Sequence, residues 1–249
     1  MYFYKDMTAA YYDCDQSNEL KPSGMLRYMQ QTSSEQLRGL GQSPERLYHE
    51  KLVFLLSKFN LRIERYPGCG EEIRIGTAAV GLKGARFARE FVIETKNGER
   101  LVSGYSLWVL TDTGEHRILR PKEYPHQFPF EAPGLAGIVD DIPIPRDKDL
   151  APGLLREIIE IPVRYSHIDV NLHVNNAMYA DFVCDALPFS ELCKKRLGTL
   201  AIHFAGEARH GDVIRVETAR LGEGVFRIAG THGRGLCFEA VAAYGRSSH

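Results

Sequence analysis

The run Arg164-Tyr-Ser-His-Ile-Asp-Val-Asn-Leu-His-Val-Asn-Asn-Ala-Met-Tyr179 gathers a carboxylate, amides and imidazoles in an otherwise apolar neighbourhood. In an extended segment Asp169, Asn171 and His173, spaced by two, fall on one side, with Val170, Leu172 and Val174 on the other. A carboxylate, an amide and an imidazole on one face can orient, polarise and shuttle protons, the three tasks of acyl hydrolysis. The run leads into a helical stretch capped by Asn175 or Asn176, whose first backbone amides and positive dipole end then lie beside the same face. One preorganised donor aimed at a developing oxyanion is worth roughly 3–4 kcal/mol.

Other chemistries fit less well. His167, Asp169 and His173 have no companion His, Cys or Glu group at a recognisable ligand spacing, so no metal and no other cofactor is expected. Gly104-Tyr-Ser-Leu-Trp108 lacks the second glycine of a nucleophile elbow and sits in a strand pattern. Gly81-Leu-Lys-Gly84 and Gly233-Arg-Gly235 read as hairpin turns, since neither opens a helix that would hold a phosphate.

The elements that must position the cluster follow from periodicity. After an opening strand, Pro22-Ser-Gly24 introduces a helix over 25–40 with a broken apolar stripe of Met25, Leu26, Met29, Leu37 and Leu40, ended by Gly39 and Gly41. From Val53 to Leu119 the period becomes that of strands, punctuated by turns such as Asn97-Gly98. Seven prolines from Pro121 to Pro152 bar helix interior and central strand and predict an interdomain connection. Beyond them the order repeats: a strand over 156–165, the polar cluster, a helix over 176–187, then strands to Tyr244, in which Ile214, Val216, Phe226 and Ile228 alternate with Arg215, Glu217 and Arg227. Two copies of a helix-on-sheet unit predict an α+β fold.

A formal net charge of −1 over 249 residues gives no bulk reason to expect nucleic acid. Five widely spaced cysteines without a Cys-x-x-Cys pair fit a reducing cytoplasm. The start Met1-Tyr-Phe-Tyr-Lys-Asp carries no leader pattern, and no run approaches the roughly 18 apolar residues of a membrane span, so a soluble cytoplasmic protein is expected. Lys194, Lys195 and Arg196 form the one compact basic run, read as a solvated face.

Asp169-Val-Asn-Leu-His-Val-Asn-Asn-Ala-Met-Tyr179 resembles the Asp-x-Asn-x-His-Val-Asn-Asn-x-x-Tyr pattern of the acyl-ACP thioesterases of plants and bacteria. Tyr11 to Asp15 and the doubled organisation around a proline-rich connection extend the likeness over nearly the whole chain. The resemblance implies two tandem hotdog domains, each a long helix packed on a curved antiparallel sheet. It further implies an N-terminal domain over 1–125 that forms the acyl-chain pocket, a linker over 126–152 and a catalytic C-terminal domain over 153–249.

It also implies a catalytic acid on a strand about thirty residues downstream, which Thr199-Leu-Ala-Ile-His-Phe-Ala-Gly-Glu207 supplies as Glu207. In many plant members a cysteine follows that acid; here Ala208 stands, which argues against a thiol nucleophile. The expected roles are then Glu207 activating water or attacking directly, Asn171 and the helix start binding the oxyanion, His173 polarising the carbonyl or protonating the leaving thiolate, and Asp169 holding Asn171 and His173. Asn175 and Asn176 serve as cap and substrate contact, and Met25, Tyr28, Met29 and Trp108 as core that also lines the acyl chain. The implied substrate is a fatty acyl group on acyl carrier protein, in fatty acid biosynthesis. Rival readings are an acyl-CoA thioesterase, a 3-hydroxyacyl dehydratase of the same fold and a non-catalytic acyl-thioester sensor. Tandem copies satisfy sheet pairing within one chain, and a homodimer stays open beside that.

Overall fold

The computed structural model describes residues 2–115, 117–131, 134, 142–151 and 153–245. The chain divides into two units, Met1–Phe59 with Glu64–Asp140 and Asn60–Ile63 with Asp141–His249.

The first unit opens with β1 (Phe3–Thr8), followed by α1 (Pro22–Gly39) and α2 (Pro44–His49). Pro22 takes the first turn of α1, where its missing N–H costs nothing. Gly41, at φ +70°, follows the last turn, and the Gln42 amide donates back to the Leu37 carbonyl at 2.8 Å, as sequence punctuation predicts. The strands β2 (Leu52–Ile63), β3 (Glu72–Lys83), β4 (Arg86–Thr95), β5 (Arg100–Asp112) and the short β6 (Arg117–Ile118) complete the unit. They order as β1-β3-β4-β5-β2, with β6 on β5. α1 packs on β1 and β3, burying Met25, Leu26 and Met29 completely.

The second unit contains β7 (Arg156–Pro162), α3 (Met178–Asp185), α4 (Phe189–Leu192), β8 (Leu197–Phe204), β9 (Val213–Gly222), β10 (Val225–His232) and β11 (Gly235–Tyr244). Its sheet order is β8-β11-β10-β9-β7, antiparallel throughout. α3 lies against β11, with Tyr179 edge-on to the Phe238 ring at 5.2 Å. The helix expected over 176–187 is shorter than its expected bounds: α3 has 8 residues where twelve were expected, because a capped turn consumes Asn175 to Ala177 and Pro188 follows the C-terminal end. The strand expected over 156–165 ends at Pro162 and gives way to a tight helical turn over Tyr165–His167.

The proline-rich stretch is not a free connection where it is described. Tyr124, Phe128 and Phe130 join Phe54 and Phe87 in an aromatic cluster with centroid separations of 5.1 to 6.4 Å. The buried Tyr124 hydroxyl donates to Gln42 Oε1 at 2.7 Å, and Gln42 Nε2 donates to the Gln127 carbonyl at 2.9 Å. On the other side Pro145 offers its carbonyl to Arg227 of β10 at 2.8 Å. Pro133, Pro152 and residues 135–141 of the stretch lie outside the described residues. Among the described residues no helix is long and apolar enough to cross a membrane.

Candidate active site

The segment expected to be extended is a hydrogen-bonded turn. The Leu172 amide donates to the Asp169 carbonyl at 3.0 Å, the Asn171 amide to Asp169 Oδ1 at 2.8 Å, and the Asp169 amide to the His173 carbonyl at 3.0 Å. A short carboxylate bonding to its own neighbouring backbone competes with strand extension and here prevails. The two-sided alternation therefore fails: Val170 and Leu172 are 95% and 77% exposed, and Leu172 takes φ +65°. Asp169 Oδ2 also accepts a long bond, 3.4 Å, from Asn175 Nδ2. Asp169 thus holds the turn through the Asn171 backbone and the Asn175 side chain, whereas the expectation had it gripping the side chains of Asn171 and His173. Asn171 itself is exposed.

His167 closes the preceding helical turn. Its Nδ1 accepts from the Arg164 amide at 3.2 Å, its carbonyl accepts from the Asn175 amide at 2.9 Å, and its ring meets Phe182 edge-on. Asn175 is the cap: its Oδ1 accepts from the Ala177 amide at 2.9 Å and its carbonyl from Met178 at 2.9 Å. The amides of Asn175, Ala177 and Met178 are therefore occupied. Among the described residues the Asn176 amide, at the positive end of α3, meets no acceptor.

Glu207, expected on a strand, reaches the cluster instead from the loop after β8, which ends at Phe204. The amides of Ala205 and Gly206 donate to the Cys237 carbonyl, and the Ala208 carbonyl accepts from Val174 at 2.8 Å, which draws the loop against the turn. Glu207 Oε1 then lies 3.8 Å from His173 Nε2, and Glu207 Oε2 accepts from Arg209 Nη2 at 3.3 Å. The side chains of His173 and Glu207 are 20% and 47% exposed, so water has access to both. The next residue, Ala208, is wholly buried, and the buried Tyr179 hydroxyl bonds to its backbone, its ionisation pushed up by burial first. A side chain at 208 points inward while that of 207 points out.

Sequence reasoning missed the supports of Glu207. His232 Nδ1 accepts from the Arg234 amide at 3.0 Å, which assigns the ring proton to Nε2, and that N–H donates to the Glu207 carbonyl at 2.9 Å. Asp212 accepts from the Arg209 amide at 2.7 Å and forms a two-pronged pair with Arg234 at 3.0 and 2.6 Å. The Arg234 hydrogen bonds hold the Asp212 carboxyl below its ordinary range, aided by the Arg209 amide. Arg234 comes from Gly233-Arg-Gly235, read from the sequence as a plain hairpin turn, and Asp212 from a stretch to which no role was given.

In the first unit Met25 and Met29 are fully buried, and a Cβ on Gly104 of β5 would stand 3.0 Å from the Met29 sulfur. The Tyr28 oxygen accepts from the Ala10 amide at 2.9 Å. Trp108 packs with a different set, around Leu52, Phe87 and Leu110, and its Nε1 donates to Ser106 Oγ at 2.7 Å. The structure therefore does not bring Trp108 into one group with the helix residues. Among the described residues no three His, Cys, Asp or Glu side chains converge as metal ligands would.

A helix laid on an antiparallel sheet, occurring twice in one chain, makes this a tandem hotdog protein. Residues 1–126 match the model of the acyl-ACP thioesterase N-terminal domain and residues 155–235 that of the acyl-ACP thioesterase C-terminal domain, so the chain belongs to the acyl-ACP thioesterase family. A chloroplastic acyl-[acyl-carrier-protein] hydrolase of Cuphea viscosissima is 26% identical over 211 residues, 78% of this chain and 49% of that protein. The chain spans about half the length of the curated relatives it matches. The solved acyl-ACP thioesterase of Bacteroides thetaiotaomicron has the same fold, with a TM-score of 0.83 at 15% identity over 98% of both chains. So has the 12:0-ACP thioesterase from Umbellularia californica, with a TM-score of 0.80 at 20% identity over 99% of this chain and 98% of that one.

Proposed function

We propose that this protein hydrolyses the thioester of a fatty acyl group carried on acyl carrier protein, releasing the free acid and the carrier thiol. The observation that carries this reading is the approach of His173 Nε2 to Glu207 Oε1, 3.8 Å, within the stretch matched by the family's C-terminal domain. Glu207 takes a proton from the attacking water, and His173 delivers one to the departing thiolate. The 3.8 Å separation is too long for a hydrogen bond and shortens when substrate and water enter. The Asn176 amide, with the exposed Asn171 side chain nearby in sequence, meets the oxyanion at the start of α3. Asp169, Asn175, Arg209 and His232 position these groups without touching the reacting atoms.

In this reading residues 153–249 are the catalytic domain and 1–125 hold the acyl chain, with Met25, Tyr28, Met29 and Trp108 among the apolar residues that shape its site. The protein works in the cytoplasm with no cofactor, on the acyl carrier protein of fatty acid synthesis.

The test is a thiol-trapping assay on acyl-ACP and acyl-CoA of matched chain length. Thiol release from acyl-ACP at the higher kcat/KM supports the proposal. Faster release from acyl-CoA assigns the other carrier, and an enoyl product without thiol release replaces hydrolysis by dehydration.

A further inference from the structure

Two cysteines far apart in sequence are brought together in the first unit. Cys14 follows the helical turn Tyr11–Asp13, and its thiol donates to the Ala10 carbonyl at 3.3 Å. The segment 67–71 runs back along the same residues: the Leu20 amide donates to the Pro67 carbonyl at 2.8 Å, the Cys69 amide to Asn18 at 2.7 Å and the Gly70 amide to Ala9 at 2.8 Å. Cys69 is thereby seated between residues 9 and 18, near enough to Cys14 for the two thiols to perturb one another. Both are half-buried. Cys14 lines an open crevice of about 410 Å³ with Tyr11, Tyr12, Asp15, Gln16 and Asn18, and the hydrogen bond of the Cys69 amide to Asn18 sets Cys69 beside it. The hydrolysis proposed above uses neither sulfur.

We propose that Cys14 and Cys69 are a reversible dithiol–disulfide pair that exchanges with low-molecular-weight disulfides. The Cys69 thiolate attacks one sulfur of the small disulfide, forming a mixed disulfide and expelling one small thiolate. Cys14, its proton passed to solvent, attacks the Cys69 sulfur and expels the second. Two protein thiols are oxidised by two electrons and one small disulfide is reduced to two thiols, so the step needs no other oxidant. Cys14 is the closing partner. Burial, the neighbouring Cys69 thiol and the charges of Asp13 and Asp15 push its ionisation up to about 11, which keeps it protonated when the first exchange occurs. Gly70, at φ +78°, sits beside Cys69 and gives that loop freedom to close. The cross-link would tie down the stretch holding α1, α2 and β2, restricting the unfolded chain and raising stability. In a reducing cytoplasm the pair stays open, and it closes when the thiol poise becomes oxidising.

The full chain is equilibrated with oxidised glutathione, quenched in acid, alkylated and mapped by mass spectrometry. The expected result is loss of two of the five alkylatable thiols, a peptide linked through Cys14 and Cys69, reversal by dithiothreitol, and a Tm several degrees higher in the oxidised form. The Cys14→Ser variant should instead hold glutathione at Cys69. Five alkylatable thiols remaining in the wild type, a stable glutathione adduct without the linked peptide, or unchanged thiol loss in Cys14→Ser would each overturn the proposal.

Discussion

Glu207 Oε1 stands 3.8 Å from His173 Nε2 although the two residues come from separate loops of the second unit. With Arg209 on the other carboxylate oxygen at 3.3 Å, the glutamate is held from two sides yet about half exposed. Glu207→Gln and His173→Ala are each expected to lower acyl-ACP hydrolysis roughly 10²–10⁴-fold, the usual worth of a positioned acid or base. Their Tm should stay near that of the wild type, because neither side chain is buried. Near-wild-type turnover in either folded variant would remove the pair from the chemistry.

Leu172 sits at φ +65° to close the turn whose carboxylate is Asp169. A non-glycine residue in that region carries about 1 kcal/mol of strain. Leu172 is 77% exposed, so little packing is lost on truncation. Leu172→Gly should leave stability unchanged or raise it by up to about 1 kcal/mol, whereas Leu172→Val, β-branched, should cost roughly 1 kcal/mol or more. Calorimetry that ranked valine above glycine would show the turn to be unstrained.

The alternation of β9 and β10 was legible because one face of each strand is core: Ile214 and Ile228 are wholly buried and Phe226 nearly so. The opposite face was not legible. Arg227, which alternates with the apolar residues of β10, is itself buried because Pro145 accepts from it at 2.8 Å and Glu239 pairs with it at 2.6 Å. Arg89 of β4 is likewise buried, bonded to Gln36 of α1 at 2.5 Å and Thr77 at 2.9 Å, its ionisation pushed down to about 10 by burial. In each case the covering group comes from a distant stretch that no local period encodes. The site shows the same division. Residue types and spacing named Asp169, Asn171 and His173, and the family resemblance added Glu207, but the Asx-type bond that curls the segment, and the His232 and Arg234 supports, depend on turn geometry and on contacts between hairpins.

The Asp212–Arg234 pair makes acid stability a readout of the Glu207 loop. In the folded state the Asp212 carboxyl titrates below the ordinary unfolded value near 4. Its contribution is therefore complete above about pH 4 and is lost as pH falls through the folded-state value. Arg234 is 56% exposed, so solvent screens the pair and the difference at pH 7 should be small. Urea midpoints of Arg234→Ala and wild type should differ at pH 7 and converge in strong acid. An equal gap at both ends would mean that the arginine acts through packing and not through charge.

Gly230 connects sheet packing to the helix that begins beside the site. It sits where the β10–β11 register shifts, and a Cβ there would fall 2.1 Å from Phe238 Cε1. Phe238 is fully buried and cannot swing into solvent; its ring lies 5.2 Å from that of Tyr179 on α3. Gly230→Ala should therefore cost roughly 1–3 kcal/mol by overpacking. The displaced ring pushes on Tyr179, whose hydroxyl bonds to the Ala208 backbone next to Glu207, so kcat should fall as well. Shortening Phe238 to leucine in the same chain relieves the clash and should recover part of both losses. If the double variant is no better than the sum of the two single ones, the glycine is not there to admit the ring, and the route from Phe238 through Tyr179 to the Glu207 loop does not exist.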